Sequence, residues 1–218
     1  QRHETMPLGH DPDALVDSID DSTRVVFIAN PNNPTGTWMD PATVMAMLDR
    51  IPSRVIVVLD MAYLESMDEA LTPAIKHLLD SFPHRVVTGT FSKVYALAGL
   101  RTGYGLSHPD IADLLNRVRQ PFNTNTIAQA AALAALDDDE HLQRSIALNN
   151  EGKRYLQDEL DKLGLKSLPS MGNFVTIHFE RDAAPVYEAL LKRGVIVRPV
   201  ANYRMPDYLR ITIGTAEQ

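Results

Sequence analysis

Three short apolar runs alternate with helix-like segments in the first half of this 218-residue chain. The runs cover residues 24–29, 55–59 and 85–88, and branched apolar side chains dominate them. Short apolar runs of this kind are typical of parallel strands that are buried on both faces of a sheet. A fourth short strand is predicted at residues 103–106. Strands that alternate with helices predict an α/β fold with a mostly parallel, doubly wound sheet.

The helices are predicted from capping residues and from the spacing of apolar side chains. Asp11-Pro12 and Asp40-Pro41 each place an acidic N-cap before a proline at the first helical position, so a helix begins at each pair. Further helices are expected near residues 70–79, 111–118, 127–136 and 140–163.

The last third of the chain predicts a second, smaller unit. Its expected elements are strands at residues 173–179, 195–198 and 208–213, with a helix at residues 183–193. We therefore expect a large domain at residues 1–139 and a smaller C-terminal α/β domain at residues 140–218, with the boundary near Glu140.

Composition narrows the classes of partner. The formal net charge is -7 and no long basic run occurs, which argues against nucleic acid or an anionic membrane as the main partner. No apolar run approaches the ~18 residues of a membrane-spanning helix. The chain has no cysteine, and its seven histidines show no ligand spacing, so no metal site is predicted. A cytoplasmic location fits this composition.

Distinctive polar residues follow three of the predicted strands, namely Asn33, Asp60 and Lys93. The carboxyl ends of strands in an open sheet converge on one crevice, so these side chains are expected to meet there. Asp60 ends a five-residue apolar run, so we expect it to be partly buried.

The segment around Lys93 suggests a ligand that carries both an aldehyde and a phosphate. A neutral lysine amine can form a Schiff base with an aldehyde, although most lysines that follow a strand are simply solvated. Hydroxyl donors and a guanidinium are suited to a phosphate, and here they are supplied by Thr90, Ser92 and Arg101. Pyridoxal 5′-phosphate (PLP) combines the two groups, so these residues suggest it as a ligand, and the other segments of the chain favour it further.

Three segments resemble the signature blocks of the fold-type I PLP-dependent aminotransferases. They are Asn30–Gly36, Asp60–Tyr63 and Thr90–Tyr104, and their order and separations also fit. Among the subgroups of that family, the doubled asparagine before Pro34 and the late strand at residues 209–215 are most similar to the histidinol-phosphate aminotransferases.

The resemblance implies a role for each matching residue. It makes Lys93 the Schiff-base lysine, which also moves the proton at the substrate Cα. Asp60 would pair with the pyridine nitrogen, Asn33 and Tyr63 would bond the phenolic oxygen, and Thr90, Ser92 and Arg101 would hold the phosphate. For the substrate, the implied residues are Arg210 at the α-carboxylate, Arg198 near the substrate phosphate and Asn173 in the pocket wall.

The implied reaction is transamination between glutamate and an imidazolyl phosphate, in histidine biosynthesis. That is, histidinol phosphate would interconvert with imidazole acetol phosphate while glutamate interconverts with 2-oxoglutarate, in a homodimer. Two alternatives stay open. One is a related PLP enzyme, either an aromatic aminotransferase or a phospho-amino-acid decarboxylase, and the other is a non-catalytic aminotransferase-like module.

The chain departs from the family pattern at its start. Gln1–Leu8 reads like the middle of a chain, and the family has a substantial portion before this point. We therefore expect an incomplete PLP-transferase large domain. A sheet that lacks a strand is expected to leave an exposed edge or an apolar patch.

Overall fold

The fold is taken from a computed structural model, which describes residues 8–67 and 75–218. The first sheet has the strand order β1-β2-β3-β4, formed by β1 (Val25–Ala29), β2 (Ile56–Asp60), β3 (Arg85–Thr90) and β4 (Gly103–Ser107). The first three strands run parallel, and β4 pairs antiparallel with β3. The predicted mostly parallel sheet is therefore confirmed.

Helices connect and follow these strands. They are α1 (Pro12–Asp17), α2 (Pro41–Arg50), α3 (Ile75–Ser81), α4 (Pro109–Val118) and α5 (Thr126–Leu136). Both predicted caps are formed, because the side chain of Asp11 accepts from Ala14 N at 3.0 Å and that of Asp40 from Thr43 N at 3.0 Å. The predicted helix at residues 70–79 begins outside the described residues, and its described part starts at Ile75.

The main core lies on one face of the first sheet. Side chains of α2 pack there against alternate residues of β1 and β2, among them Ile28, Val57 and Leu59. The opposite face of β1 is open, since Phe27 is 76% exposed. The expectation that β1 is buried on both faces was therefore wrong within the described residues. The physical reason is that no described element covers the face of the sheet to which Val25 and Phe27 point, as their exposure shows.

A second apolar surface lies on the helices that follow the sheet. Val118 at the end of α4 is 78% exposed, and Phe122 in the next loop is 95% exposed. Like Phe27, these are exposed apolar side chains of the kind that a patch contains, and the expected patch itself stays a prediction.

The second sheet is entirely antiparallel, with the order β5-β6-β8-β7. Its strands are β5 (Lys166–Ser167), β6 (Phe174–His178), β7 (Arg198–Pro199) and β8 (Tyr208–Thr212), and its helices are α6 (Asp139–Lys162) and α7 (Ala184–Lys192). Two buried residues of β6, Val175 and Ile177, pack against Leu160 of α6. Strand β5 was not predicted, because two residues are too few to show a period. The boundary near Glu140 stays a prediction.

Candidate functional site

The loops that follow β1, β2 and β3 leave the first sheet at the same edge. Asp60 is in register with Ala29 on one side and with Thr88 on the other. The backbone ladder continues past the strand ends, since Asn30 N donates to Asp60 O at 2.9 Å and Met61 N donates to Thr88 O at 2.9 Å. The three strand-end loops predicted to meet in one crevice therefore lie side by side.

The asparagine loop, residues 30–36, is closed by its own hydrogen bonds. The side chain of Asn30 is buried and bonds both backbone groups of Met39, donating to O at 3.1 Å and accepting from N at 2.8 Å. Gly36 N donates to Asn32 O at 2.7 Å. These hydrogen bonds hold the loop although it carries few apolar side chains, and it presents Asn33 to solvent.

Asn33 joins two other predicted site residues. Its amide Nδ2 donates to Tyr63 Oη at 3.4 Å, and its Oδ1 accepts a hydrogen bond from Arg210 Nη1. Arg210 lies on β8 of the second sheet, 177 residues away in sequence. Asn33, Tyr63 and Arg210 therefore form one cluster that spans both sheets.

Phe174 completes this cluster and was not predicted. Its ring meets the Tyr63 ring edge-on, with the centroids 5.5 Å apart, and the Arg210 guanidinium lies 4.9 Å from its centroid. The Gly172-Asn173-Phe174 segment pointed to Asn173 instead. No local pattern distinguishes Phe174 from an ordinary core aromatic, because its role depends on a contact between two sheets.

Lys93 lies above the same tyrosine. Its Nζ is 5.4 Å from the Tyr63 ring centroid, within the distance at which a cation interacts with the face of an aromatic ring. Lys93 is exposed and Tyr63 is 6% exposed, so the amine sits at the mouth of the cluster. His141 of α6 supports the adjoining backbone, with its Nε2 3.0 Å from Val94 O.

The predicted phosphate residues lie on two adjacent stretches of chain. Thr90 pairs with Gly103 across β3 and β4, and Phe91 N donates to Thr102 O at 3.3 Å. In the sequence, Ser92 follows Phe91 and Arg101 precedes Thr102, so both lie next to this hydrogen bond. Two local hydrogen bonds shape these stretches, from Ser92 N to Thr90 Oγ1 at 3.1 Å and from Arg101 Nη1 to Ala98 O at 2.8 Å.

Asp60 ends β2 as predicted but is exposed rather than partly buried. Its Oδ1 accepts a hydrogen bond from Ala62 N at 3.1 Å, which is a turn contact. The apolar run before Asp60 buries only alternate residues, and Asp60 falls on the outward row. Its carboxylate is therefore free to face a ligand without a cost of burial.

The second sheet places three predicted or related residues in one row. Thr176 of β6, Arg210 of β8 and Arg198 of β7 are directly opposite one another across the strands. Opposite residues of antiparallel strands share a face, so the Arg198 and Arg210 side chains leave the sheet on the same side. Like charges in such a position repel, and an anion between them would relieve that repulsion. Asn173 immediately precedes β6, and its backbone O accepts a hydrogen bond from Ile213 N at 2.9 Å.

Tyr104 of β4 and Glu65, which follows β2, are half-buried titratable side chains. The Tyr104 ring packs against Gly89, where an added β-carbon would lie 2.2 Å from the ring. Burial, then the negative charge of Glu65, raises the pKa of Tyr104 to about 12. Burial also raises the pKa of Glu65 above its usual value. Among the described residues, no group of three or more histidine or carboxylate side chains could hold a metal ion.

Comparisons with known proteins place the chain among enzymes of one family. A family model described as aminotransferase class I and II matches residues 5–218. Histidinol-phosphate aminotransferase 2 of Pseudomonas fluorescens is 53% identical over 206 residues, which are 94% of this chain and 56% of that protein. The corresponding protein of Pseudomonas aeruginosa is 52% identical over 210 residues, which are 96% of this chain and 57% of that protein. The chain thus spans just over half the length of these curated relatives.

A solved structure shows the same fold. The histidinol-phosphate aminotransferase of Sinorhizobium meliloti, crystallised in complex with pyridoxal-5′-phosphate, superposes with a TM-score of 0.89 at 30% identity. The match covers 99% of this chain and 59% of that one. No helix in residues 8–67 and 75–218 is both long and apolar enough to cross a membrane.

Proposed function

This chain belongs to the aminotransferase class I and II family, and we propose on that premise that it carries out PLP-dependent transamination. The proposed reaction exchanges an amino group between histidinol phosphate and glutamate, whose oxo counterparts are imidazole acetol phosphate and 2-oxoglutarate. The observation that carries the proposal is the meeting of Lys93, Tyr63, Asn33 and Arg210 at one point between the two sheets.

The chemistry of these side chains fits PLP. The cofactor has a basic ring nitrogen, a phenolic oxygen, an aldehyde and a phosphate, and each has a suitable partner among the residues at the strand ends. In that order the partners are the Asp60 carboxylate, the Asn33–Tyr63 pair, the Lys93 amine, and the Thr90, Ser92 and Arg101 side chains. The chemistry that PLP supplies when bound is the withdrawal of electrons from the Cα of the amino acid.

The side chains of the chain would provide binding, orientation and proton transfer. Lys93 Nζ would hold the aldehyde carbon and, once displaced by substrate, would take the proton from the substrate Cα. Asp60 would accept a hydrogen bond from the ring nitrogen and so hold its proton in place. Tyr63 lies beneath the lysine and would orient the ring through the hydroxyl that it shares with Asn33.

Arg210 is the proposed site for the α-carboxylate of glutamate. One of its terminal nitrogens already bonds Asn33, which fixes the plane of the guanidinium. Its Nε is buried and has no hydrogen-bond partner among the described residues. A planar guanidinium that is held in place suits a carboxylate, which it can bond with two parallel donors. The neighbouring Arg198 would then face the phosphate of histidinol phosphate.

The first test is a visible absorption spectrum of this chain with added PLP, before and after glutamate. We expect an absorption band that depends on Lys93, is lost in Lys93→Ala and changes when glutamate is added. Lys166→Ala is the matched control, because Lys166 is an exposed lysine on β5 of the other sheet. A wild-type spectrum that PLP leaves unchanged would contradict the proposed cofactor site.

The second test concerns the substrate. We expect faster spectral conversion with histidinol phosphate than with phenylalanine or O-phosphothreonine, which represent the two related enzyme classes. Arg198→Ala should weaken histidinol phosphate binding about 10-fold or more, as expected for the loss of a charge-assisted hydrogen bond, and should spare glutamate. Arg193→Ala, at the end of α7, is the control. Preferred turnover of phenylalanine would favour the aromatic aminotransferase alternative.

We also propose that the protein acts as a homodimer in the cytoplasm, as its resemblance to the family implies. Sedimentation of the purified protein tests the dimer. A monomer at micromolar concentration would contradict it.

A further inference from the structure

We propose that Thr176 is a positioning residue for Arg210, an inference that rests on the proposed role of that arginine in binding carboxylate. The Thr176 hydroxyl donates to the backbone carbonyl of Pro34, and Arg210 donates to the side chain of Asn33. Thr176 and Arg210 are directly opposite each other on β6 and β8. Two neighbouring residues of one sheet thus hold two successive residues of the asparagine loop.

The hydroxyl of Thr176 makes the contact on which the proposed role depends, the hydrogen bond to Pro34 O. This side chain is completely buried, at 0% exposure, and a valine would fill the same space in a strand. A buried hydroxyl is tolerated only with a hydrogen-bond partner, and here that partner is a loop carbonyl 142 residues away. The adjacent residues Val175 and Ile177 point to the other face and pack against α6. Thr176 therefore adds one hydrogen bond on the face of the second sheet that also carries Phe174 and Arg210.

Loss of the hydrogen bond between Thr176 and Pro34 would change how Arg210 is held. Asn33 is exposed, so it has little packing around it, and the adjoining Pro34 carbonyl is a backbone group held by the second sheet. A second anchor holds the far end of the loop, where Met171 N donates to Gly36 O at 2.9 Å. With Thr176 unable to donate, Asn33 can move relative to Arg210, and the guanidinium loses the bond that sets its plane.

The test compares Thr176→Val, which keeps the shape and loses the donor, with Thr176→Ser, which keeps the donor. Ile177→Val is the matched control, because it removes buried volume from the same strand on the opposite face. The first readout is the Nε–H resonance of Arg210 in the cofactor-free chain, assigned by its loss in Arg210→Lys. We expect Thr176→Val to shift or broaden this resonance, whereas Thr176→Ser and Ile177→Val leave it in place.

The second readout is the affinity for glutamate in the PLP-loaded chain, from a spectral titration. Thr176→Val should weaken glutamate about 10-fold, Thr176→Ser less than about 2-fold, and Ile177→Val not at all although it lowers the melting temperature. Equal resonances and affinities in the valine variant and the wild type would overturn the inference. If wild-type chain fails to respond to glutamate, the proposed function falls, while the Arg210 resonance still decides the role of Thr176.

Discussion

Gly36 is the position in the asparagine loop where the structure permits the sharpest prediction. Its φ is +80°, in the left-handed region, and an added β-carbon would lie 2.3 Å from Ser170 Oγ and 2.6 Å from Ser170 Cβ. A residue with a β-carbon costs about 1 kcal/mol in that conformation. Forcing extra volume into a packed contact costs about 1–3 kcal/mol more. Gly36→Ala should therefore lower the free energy of unfolding by about 2–4 kcal/mol.

The assay is urea unfolding of wild type and variant, followed by far-UV circular dichroism and by the fluorescence of Trp38, the single tryptophan. A loss of about 3 kcal/mol corresponds to a melting temperature roughly 6–12 °C lower in a protein of this size. Gly164→Ala is the matched control. Gly164 has a similar φ of +70° but open space around its β-carbon position, so this variant measures the backbone cost alone, about 1 kcal/mol.

A double-mutant cycle with Ser170→Gly isolates the clash. Ser170→Gly is itself destabilising, because Ser170 Oγ donates to Phe174 O at 2.6 Å and accepts from Gly172 N at 3.1 Å. In its presence Gly36→Ala should cost at least 1 kcal/mol less than in wild type, as estimated for directly contacting residues. Additive costs, or a Gly36→Ala cost equal to that of Gly164→Ala, would refute the close approach of the two sheets on which this reasoning depends.

Three further predictions concern buried polar side chains. Arg85 is 2% exposed and bonds the carbonyls of Val55 and Leu48 at 3.1 and 3.0 Å, so Arg85→Met should lower the free energy of unfolding by about 3 kcal/mol in urea, and an unchanged midpoint would contradict this. Burial raises the pKa of Glu65, so the folded protein is most stable when this carboxyl is protonated at low pH, and it loses stability as the pH rises through that pKa. Glu65→Gln should therefore raise the melting temperature at pH 7 but not at pH 4. Equal increases at both pH values would contradict this. The pKa of Tyr104 is raised from 10.0 to about 12, so wild-type stability should fall between pH 10 and 12 more steeply than that of Tyr104→Phe, which parallel urea titrations would test.

Local patterns were sufficient for most elements of the fold. The aspartate-proline pairs predicted the starts of α1 and α2, and the apolar runs predicted three parallel strands, because capping and β-periodicity act within a few residues. The same patterns were wrong about Phe27. Its exposure depends on whether another element packs on that face of the sheet, and the apolar run itself does not encode this.

The same distinction between local patterns and tertiary contacts applies to the candidate site. The sequence by itself determined that Asn33, Asp60 and Lys93 follow strand ends, and that these ends lie at one edge of a parallel sheet. Only the tertiary structure decided that Arg210 reaches Asn33, that Phe174 lies between Arg210 and Tyr63, and that Thr176 holds the loop from behind. The contacts of Arg210 with Asn33, of Phe174 with Tyr63 and of Thr176 with Pro34 join residues more than 100 positions apart and follow from how two separate sheets pack. The Phe174–Arg210 contact joins neighbouring strands of one sheet, whereas caps and strand periods are set by neighbours along the chain.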